Sequence, residues 1–198
     1  MERLITQKIA PWQRWLARIF ELVKVVVILT MIGYLVHVFV ITLFVVDGAS
    51  MEPNFFDKEY MLVNKISYNF SEPKRGDVVV FFYPGEPDKK FIKRIIGIPG
   101  DTIEIKNDQV YLYNKDHSGN LKESYIPQAM PTPTETNQKS LTKKIESDKY
   151  FVLGDNRLNS SDSRIWGLLP KENIIGKAFL TLWPLDAFSL VKTPRYFY

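Results

Sequence analysis

The chain has 198 residues, 45% hydrophobic and 24% charged, a balance that supports one packed domain with a modest appendage and excludes a disordered chain. Its net charge of +4 is mildly basic, but no compact Lys/Arg block accompanies it, so nucleic acid is not an expected partner. Cysteine is absent, which removes disulfides, thiolate catalysis and Cys-based zinc sites, and the only histidines, His37 and His117, show no metal-ligand spacing.

The first fifty residues point to a membrane. Val25 to Val46 reads VVVILTMIGYLVHVFVITLFVV, without Asp, Glu, Lys or Arg. At about 1.5 Å per residue such a helix extends roughly 33 Å, enough to cross a bilayer core. A cleavable signal peptide has an apolar stretch of only about 7–15 residues followed by small residues at the cut. Here the stretch is longer and Asp47 precedes Gly48-Ala49, so residues 25–46 are expected to be a permanent transmembrane helix. Upstream, residues 1–24 are expected to be a cytoplasmic, partly amphipathic segment. Trp12, Trp15, Leu16, Ile19, Phe20 and Val23 recur at helical spacing on one face, although a plain continuation of the anchor helix would place them equally well. Arg3, Lys8, Arg14, Arg18 and Lys24 lie before the span, against Glu2 and Glu21. Asp47, Glu52, Asp57 and Glu59 follow it, with Lys58 the one early base. The excess of positive charge on the N-terminal side predicts a single-pass protein of the plasma (inner) membrane, with its N-terminus cytoplasmic and residues 47–198 extracytoplasmic.

Beyond the span, short apolar runs alternate with turn residues. Tyr60–Val63, Val78–Tyr83, Phe91–Ile98, Thr102–Ile105, Val110–Tyr113, Tyr150–Leu153 and Ile174–Leu182 have strand composition. Pro73–Asp77, Tyr83–Gly85, Ile98–Asp101 and Lys106–Asp108 are rich in the Pro, Gly, Asn and Asp that turns require. The expected class is mainly β: an antiparallel, folded or barrel-like domain. Residues 114–149 are polar and Pro-containing, and are expected to be an extended, partly mobile surface insertion.

Three segments carry candidate chemistry. Gly48-Ala49-Ser50-Met51-Glu52-Pro53 offers a serine just past the span. A nucleophilic serine needs a proton acceptor, and neither histidine is suitably placed, so a lysine kept neutral by burial is the alternative. Lys93 alternates with Phe91 and Ile95 and so shares their strand face, either as a desolvated base or as an edge charge. Gly154 to Arg164, GDNRLNSSDSR, is dense in Asp, Asn, Arg and Ser, and reads as a surface loop or as an internally bonded polar platform.

Taken together, Ser50-Met51-Glu52-Pro53, Arg75-Gly76-Asp77-Val78-Val79-Val80-Phe81, Lys93-Arg94-Ile95-Ile96-Gly97-Ile98-Pro99-Gly100-Asp101, and Gly154-Asp155-Asn156-Arg157 through Ser160-Ser161-Asp162-Ser163-Arg164 resemble the successive motifs of bacterial type I signal peptidases. They run in the family order and cover most of residues 47–182. The resemblance implies a membrane-bound serine endopeptidase with the β fold of that family, needing no cofactor or metal. It would remove signal peptides from exported preproteins after small residues such as Ala-x-Ala. It casts Ser50 as nucleophile and Lys93 as general base. Ser160 would help hold the lysine amine, Asp162 and Arg164 would form a structural ion pair, and Asp155 and Arg94 would support the site. Met51, Phe55, Phe91 and Ile92 are expected to line the substrate cleft. Partners would be secretory preproteins and the lipid bilayer; the oligomeric state stays open, with a monomer expected. Two positions depart from the family pattern. Asn54 stands where Thr is common, and Gly48 stands where some members place a serine whose hydroxyl assists the oxyanion. A specialised Ser-Lys processing enzyme or a non-catalytic tethered β domain are the competing readings.

Overall fold

The computed structural model describes residues 11–107, 109–114, 117–122 and 140–193. Arg3, Lys8 and the Pro-rich stretch 127–133 lie outside them. The chain divides into two compact units, residues 1–40 and 41–198.

Among the described residues the first unit is one helix, α1 (Pro11–Phe39). Its Arg14–Phe39 portion is 26 residues long with mean hydropathy 2.3, long and apolar enough to cross a bilayer, and none of it is buried against protein. Apolar side chains project on every side: Trp15, Phe20, Leu22, Val26, Leu29 and Tyr34 are all exposed. A helix that is hydrophobic all round needs an apolar surrounding, which lipid supplies. From Pro11 on, the segment expected to be partly amphipathic continues without a break into the apolar run, as the alternative reading had it.

The expected end of the span needs correction. The helix stops at Phe39, and Ile41–Val45 forms strand β1 rather than its last turns. This β-branched stretch finds an antiparallel partner in β2 (Tyr60–Asn64), in register from Ile41 opposite Asn64 to Val45 opposite Tyr60. Val46, next in line, is buried in the domain core.

The second unit consists of two antiparallel sheets. The larger also uses β3 (Val78–Tyr83), β4 (Glu86–Gly97), β9 (Lys149–Leu153), β10 (Leu169–Pro170) and β11 (Ile174–Trp183), in the order β1-β2-β11-β3-β4-β9-β10. β12 (Ser189–Leu190) pairs with β11. The smaller sheet orders β5 (Thr102–Lys106), β6 (Gln109–Asn114), β7 (His117–Lys122) and β8 (Ser140–Lys144) as β7-β6-β5-β8. Two short helices interrupt the strands, α2 (Ser67–Phe70) and α3 (Ser163–Trp166). β7 and β8 fall inside the segment expected to be an extended, partly mobile surface insertion. Their polar composition hides them, because pairing with β6 and β5 supplies the backbone bonds without an apolar pattern in the sequence.

Three apolar clusters hold the domain. One joins Val46, Met51, Phe55, Met61, Val63, Val78, Val80, Ile92 and Ala178. A second packs the smaller sheet, through Ile103, Ile105 and Val110, onto Ile96, Phe151 and Leu153. The third sets Val79, Phe81 and Ile95 against Tyr150, Val152 and Leu169. Each fully buried side chain of this size contributes about 1.5–3 kcal/mol. β4 touches all three clusters, so its residues are held from both faces.

Candidate active site

Strand β4 places Lys93 opposite Val79 of β3, with Arg94 paired to Leu153 of β9. Alternation turns Lys93 and Arg94 to opposite faces, and both are buried. β9 ends at Leu153, and the chain then turns into the polar segment that reaches the cleft beside Lys93.

Ser50 enters from the loop between β1 and β2. That loop is closed at its base by Val46 N–H donating to Glu59 O and Lys58 N–H to Val46 O. Inside it the N–H groups of Asn54 and Phe55 donate to Met51 O, at 3.1 and 3.0 Å, forming a tight turn directly after the serine. Gly48 has φ of 87°, a conformation that side chains other than glycine's rarely adopt, and its N–H donates to Asp57 Oδ1 at 2.7 Å. The departure from serine at this position thus has a backbone reason.

The two segments meet. Lys93 Nζ lies 2.7 Å from Ser50 Oγ and donates to the carbonyl of its neighbour Ile92 at 2.9 Å. The lysine is 4% exposed. Burial pulls its pKa down to about 8, against the opposing pull of the Asp162 and Asp155 carboxylates. The Phe91 ring sits 5.3 Å from the amine and is itself stacked on Tyr83. An amine with this pKa is neutral in about one-tenth of molecules at pH 7, against fewer than about one in a thousand at the ordinary lysine value.

The segment after β9 is a bonded platform rather than a loose loop. Arg94 grips Asp155 with two parallel bonds, Nε to Oδ1 at 2.8 Å and Nη2 to Oδ2 at 2.6 Å, and Asn54 Nδ2 donates to the same carboxylate at 2.9 Å. Asn54 therefore ties the turn after Ser50 to this pair. Asp162 accepts from Arg164 Nε at 2.8 Å and Nη2 at 2.9 Å, and from Gly154 N–H at 3.1 Å. Both pairs are almost wholly buried, so removing one partner would strand a charge. A third buried pair, Arg75 with Asp101, fastens the start of β3 to the turn after β4, and the sequence reading did not single it out as part of the site.

A Cβ on Gly154 would collide with Ser160 Oγ and with the Ser50 carbonyl oxygen, so only glycine allows the platform to approach the serine this closely. Ser160 is accordingly next to the site, but its hydroxyl makes no hydrogen bond among the described residues. The bond expected from Ser160 to the lysine amine is not formed; that amine is engaged by Ser50 Oγ and Ile92 O instead.

Beside Ser50 lies a cleft of about 220 Å³, lined among others by Phe44, Ala49, Lys90, Phe91, Ile92 and Asn159. Of the four residues expected to line it, Phe91 and Ile92 do so. Met51 and Phe55 do not: they are 0% and 5% exposed and pack in the first apolar cluster, where the turn after Ser50 folds them inward. The sequence reading also missed Asn156, whose main-chain N–H and side-chain Nδ2 donate to Ser50 O at 3.1 Å and Ala49 O at 3.0 Å. Its only signal was its place in the GDNR run. Among the described residues, no group of three or more His, Asp or Glu side chains is placed to hold a metal ion.

The family described as "Signal peptidase, peptidase S26" matches residues 19–183. The chain is 38% identical over 183 residues to "Signal peptidase I P" of Bacillus subtilis subsp. natto, covering 89% of this chain and 95% of that protein. It is 36% identical over 186 residues to "Probable signal peptidase I-2" of Synechocystis sp., covering 91% and 79%. "Signal peptidase IB" of Staphylococcus aureus strain COL is 34% identical, covering 86% and 93%. An apolar N-terminal helix, a two-sheet antiparallel domain and a serine beside a buried lysine thus stand in a chain that belongs to the S26 signal peptidase family, a membrane-anchored serine endopeptidase of the signal peptidase I type.

Proposed function

We propose that Ser50 and Lys93 carry out the hydrolysis, as nucleophile and general base. The observation that supports this most is the 2.7 Å approach of a desolvated amine to a hydroxyl at the edge of a cleft. Neutral Lys93 accepts the Ser50 proton as Oγ bonds to the scissile carbonyl carbon. The ammonium then gives that proton to the leaving amine, the C–N bond breaks, and the acyl group remains on Ser50. Water, deprotonated by the same amine, adds to the acyl carbon; the bond from that carbon to Ser50 Oγ breaks, and the ammonium returns the proton to Oγ. Arg94, Asp155, Asp162 and Arg164 touch no reacting atom; they hold the platform against which the serine is set. Substrates are exported preproteins, cut after small residues of the Ala-x-Ala type. An extended substrate would lie beside the first half of β4, whose far edge β9 leaves uncovered because its pairing begins at Arg94.

The helix is the single bilayer anchor, with the basic side chains Arg14, Arg18 and Lys24 toward the cytoplasm and the β domain on the other side, acting as a monomer. Because the chain has no cysteine, single cysteines introduced on either side of the span and labelled with a membrane-impermeant reagent test this orientation. For the chemistry, the test is preprotein processing by purified Ser50→Ala and Lys93→Ala. Loss of at least a thousandfold in each, with unchanged melting, is expected. Full activity in either variant would refute the assignment.

A further inference from the structure

We propose that Asn156 is a positioning residue for the oxyanion: by holding the Ala49 carbonyl it aims the Ser50 N–H into the cleft. This rests on the reading of Ser50 as nucleophile. Asn156 is 3% exposed and reaches the serine loop at two adjacent carbonyls, through its main-chain N–H on Ser50 O and its side-chain Nδ2 on Ala49 O. The Ala49–Ser50 peptide is trans. In a planar trans peptide the C=O and N–H bonds point in opposite directions, so fixing one fixes the other. Drawing the Ala49 oxygen toward Asn156 therefore turns the Ser50 N–H away from the platform. Among the described residues that N–H has no acceptor, and Ser50 itself lines the cleft. A donor left open beside a nucleophile is what a developing oxyanion requires.

Two further observations separate this role from simple packing. Gly48 carries no side chain, so no hydroxyl at that position shares the load, and the direction of the Ser50 N–H matters correspondingly more. The other half of the Asn156 amide, Oδ1, is buried without a partner among the described residues. A buried acceptor left unpaired destabilises a fold, so as a core filler Asn156 is a poor choice. As a donor to Ala49 O it is useful, because an isosteric aspartate would set oxygen against oxygen.

The experiment compares Asn156→Ala and the isosteric Asn156→Asp with wild type, using a preprotein substrate and a substrate-like peptide ending in an aldehyde. Addition of Ser50 Oγ to the aldehyde places its oxygen where the oxyanion forms, so affinity for this probe follows transition-state stabilisation. Expected are a 10- to 100-fold fall in kcat, KM within twofold of wild type, and the same fold loss in aldehyde affinity. In Asn156→Ala the pH at which kcat/KM is half-maximal should not move, since Lys93 is untouched; Asn156→Asp adds a carboxylate near the amine and is read by kcat and aldehyde affinity alone. A peptide ending in an alcohol, with no carbonyl to add to, should bind all variants alike. The inference is overturned if kcat stays within twofold of wild type, if aldehyde affinity is unchanged while kcat falls, or if the half-maximal pH shifts in Asn156→Ala. Should Asn156→Ala fail to fold, Asn156→Asp alone decides. Ser50→Ala is assayed alongside: activity there would remove the underlying reading, whereas an inactive Ser50→Ala with normal Asn156 variants would overturn only the positioning role.

Discussion

Raising the pH should switch the enzyme on through Lys93. The amine is 4% exposed, and desolvation brings its pKa to about 8. If the neutral form is the active one, kcat/KM should climb about tenfold from pH 6 to pH 7, reach half its maximum near pH 8, and level off above roughly pH 9. Stability moves the same way, for a reason that fixes the sign. The folded pKa lies below the unfolded value, so between the two the unfolded chain retains a proton that the folded chain has shed. Stability therefore rises as pH increases from about 8 to about 10.5, by on the order of 3 kcal/mol for this group. The assay is initial-rate cleavage of a preprotein in detergent from pH 6 to pH 10, paired with urea melts of wild type and Lys93→Met over the same range. The wild-type minus Lys93→Met difference isolates this group from the other titrating side chains. A rate profile that is flat across pH 7–9, or half-maximal near the ordinary lysine value, would refute the reasoning.

Three other substitutions probe the platform. Gly154→Ala inserts a methyl group into the space held by Ser50 O and Ser160 Oγ, and should lower kcat by about 100-fold with intact secondary structure, as read by single-turnover cleavage and circular dichroism. Arg94→Met leaves Asp155 charged and buried and should cost about 3–5 kcal/mol in urea unfolding, while the double variant Arg94→Met/Asp155→Leu should recover most of it. Ser160→Ala removes a buried hydroxyl that has no partner, so its melting temperature should equal or exceed that of wild type; a marked fall would mean that the hydroxyl is bonded in the folded protein.

The sequence disclosed the sheet strands that bury apolar faces, such as Val78–Tyr83, because continuous β-branched and aromatic runs have few other uses. It misled where composition serves two structures. Ile41–Val45 is apolar enough for lipid, yet pairs with Tyr60–Asn64, and only the partner strand decides between them. Ser140–Lys144 has a polar strand face and no hydrophobic pattern, and shows itself only through its pairing with Thr102–Lys106. The meeting of Ser50 and Lys93 could be anticipated because their motifs are distinctive and strand alternation turns Lys93 with Phe91 and Ile95. Met51 and Phe55 were misread as cleft lining, since an apolar residue beside a nucleophile can face either the cleft or the core. The turn at Met51 sends both inward. Asn156 escaped notice because its importance lies in two backbone carbonyls, which a sequence does not locate.

The pairing of hydroxyl and uncharged amine is tested most directly by intact-mass measurement of Ser50 acylation. A serine-directed acylating agent would be applied to wild type, Ser50→Ala and Lys93→Met at pH 6, 8 and 10. A single adduct on wild type, forming about a hundredfold faster at pH 8 than the near-zero rate of Lys93→Met and absent from Ser50→Ala, is the expected result. Acylation of Ser50 at the wild-type rate in Lys93→Met would contradict it.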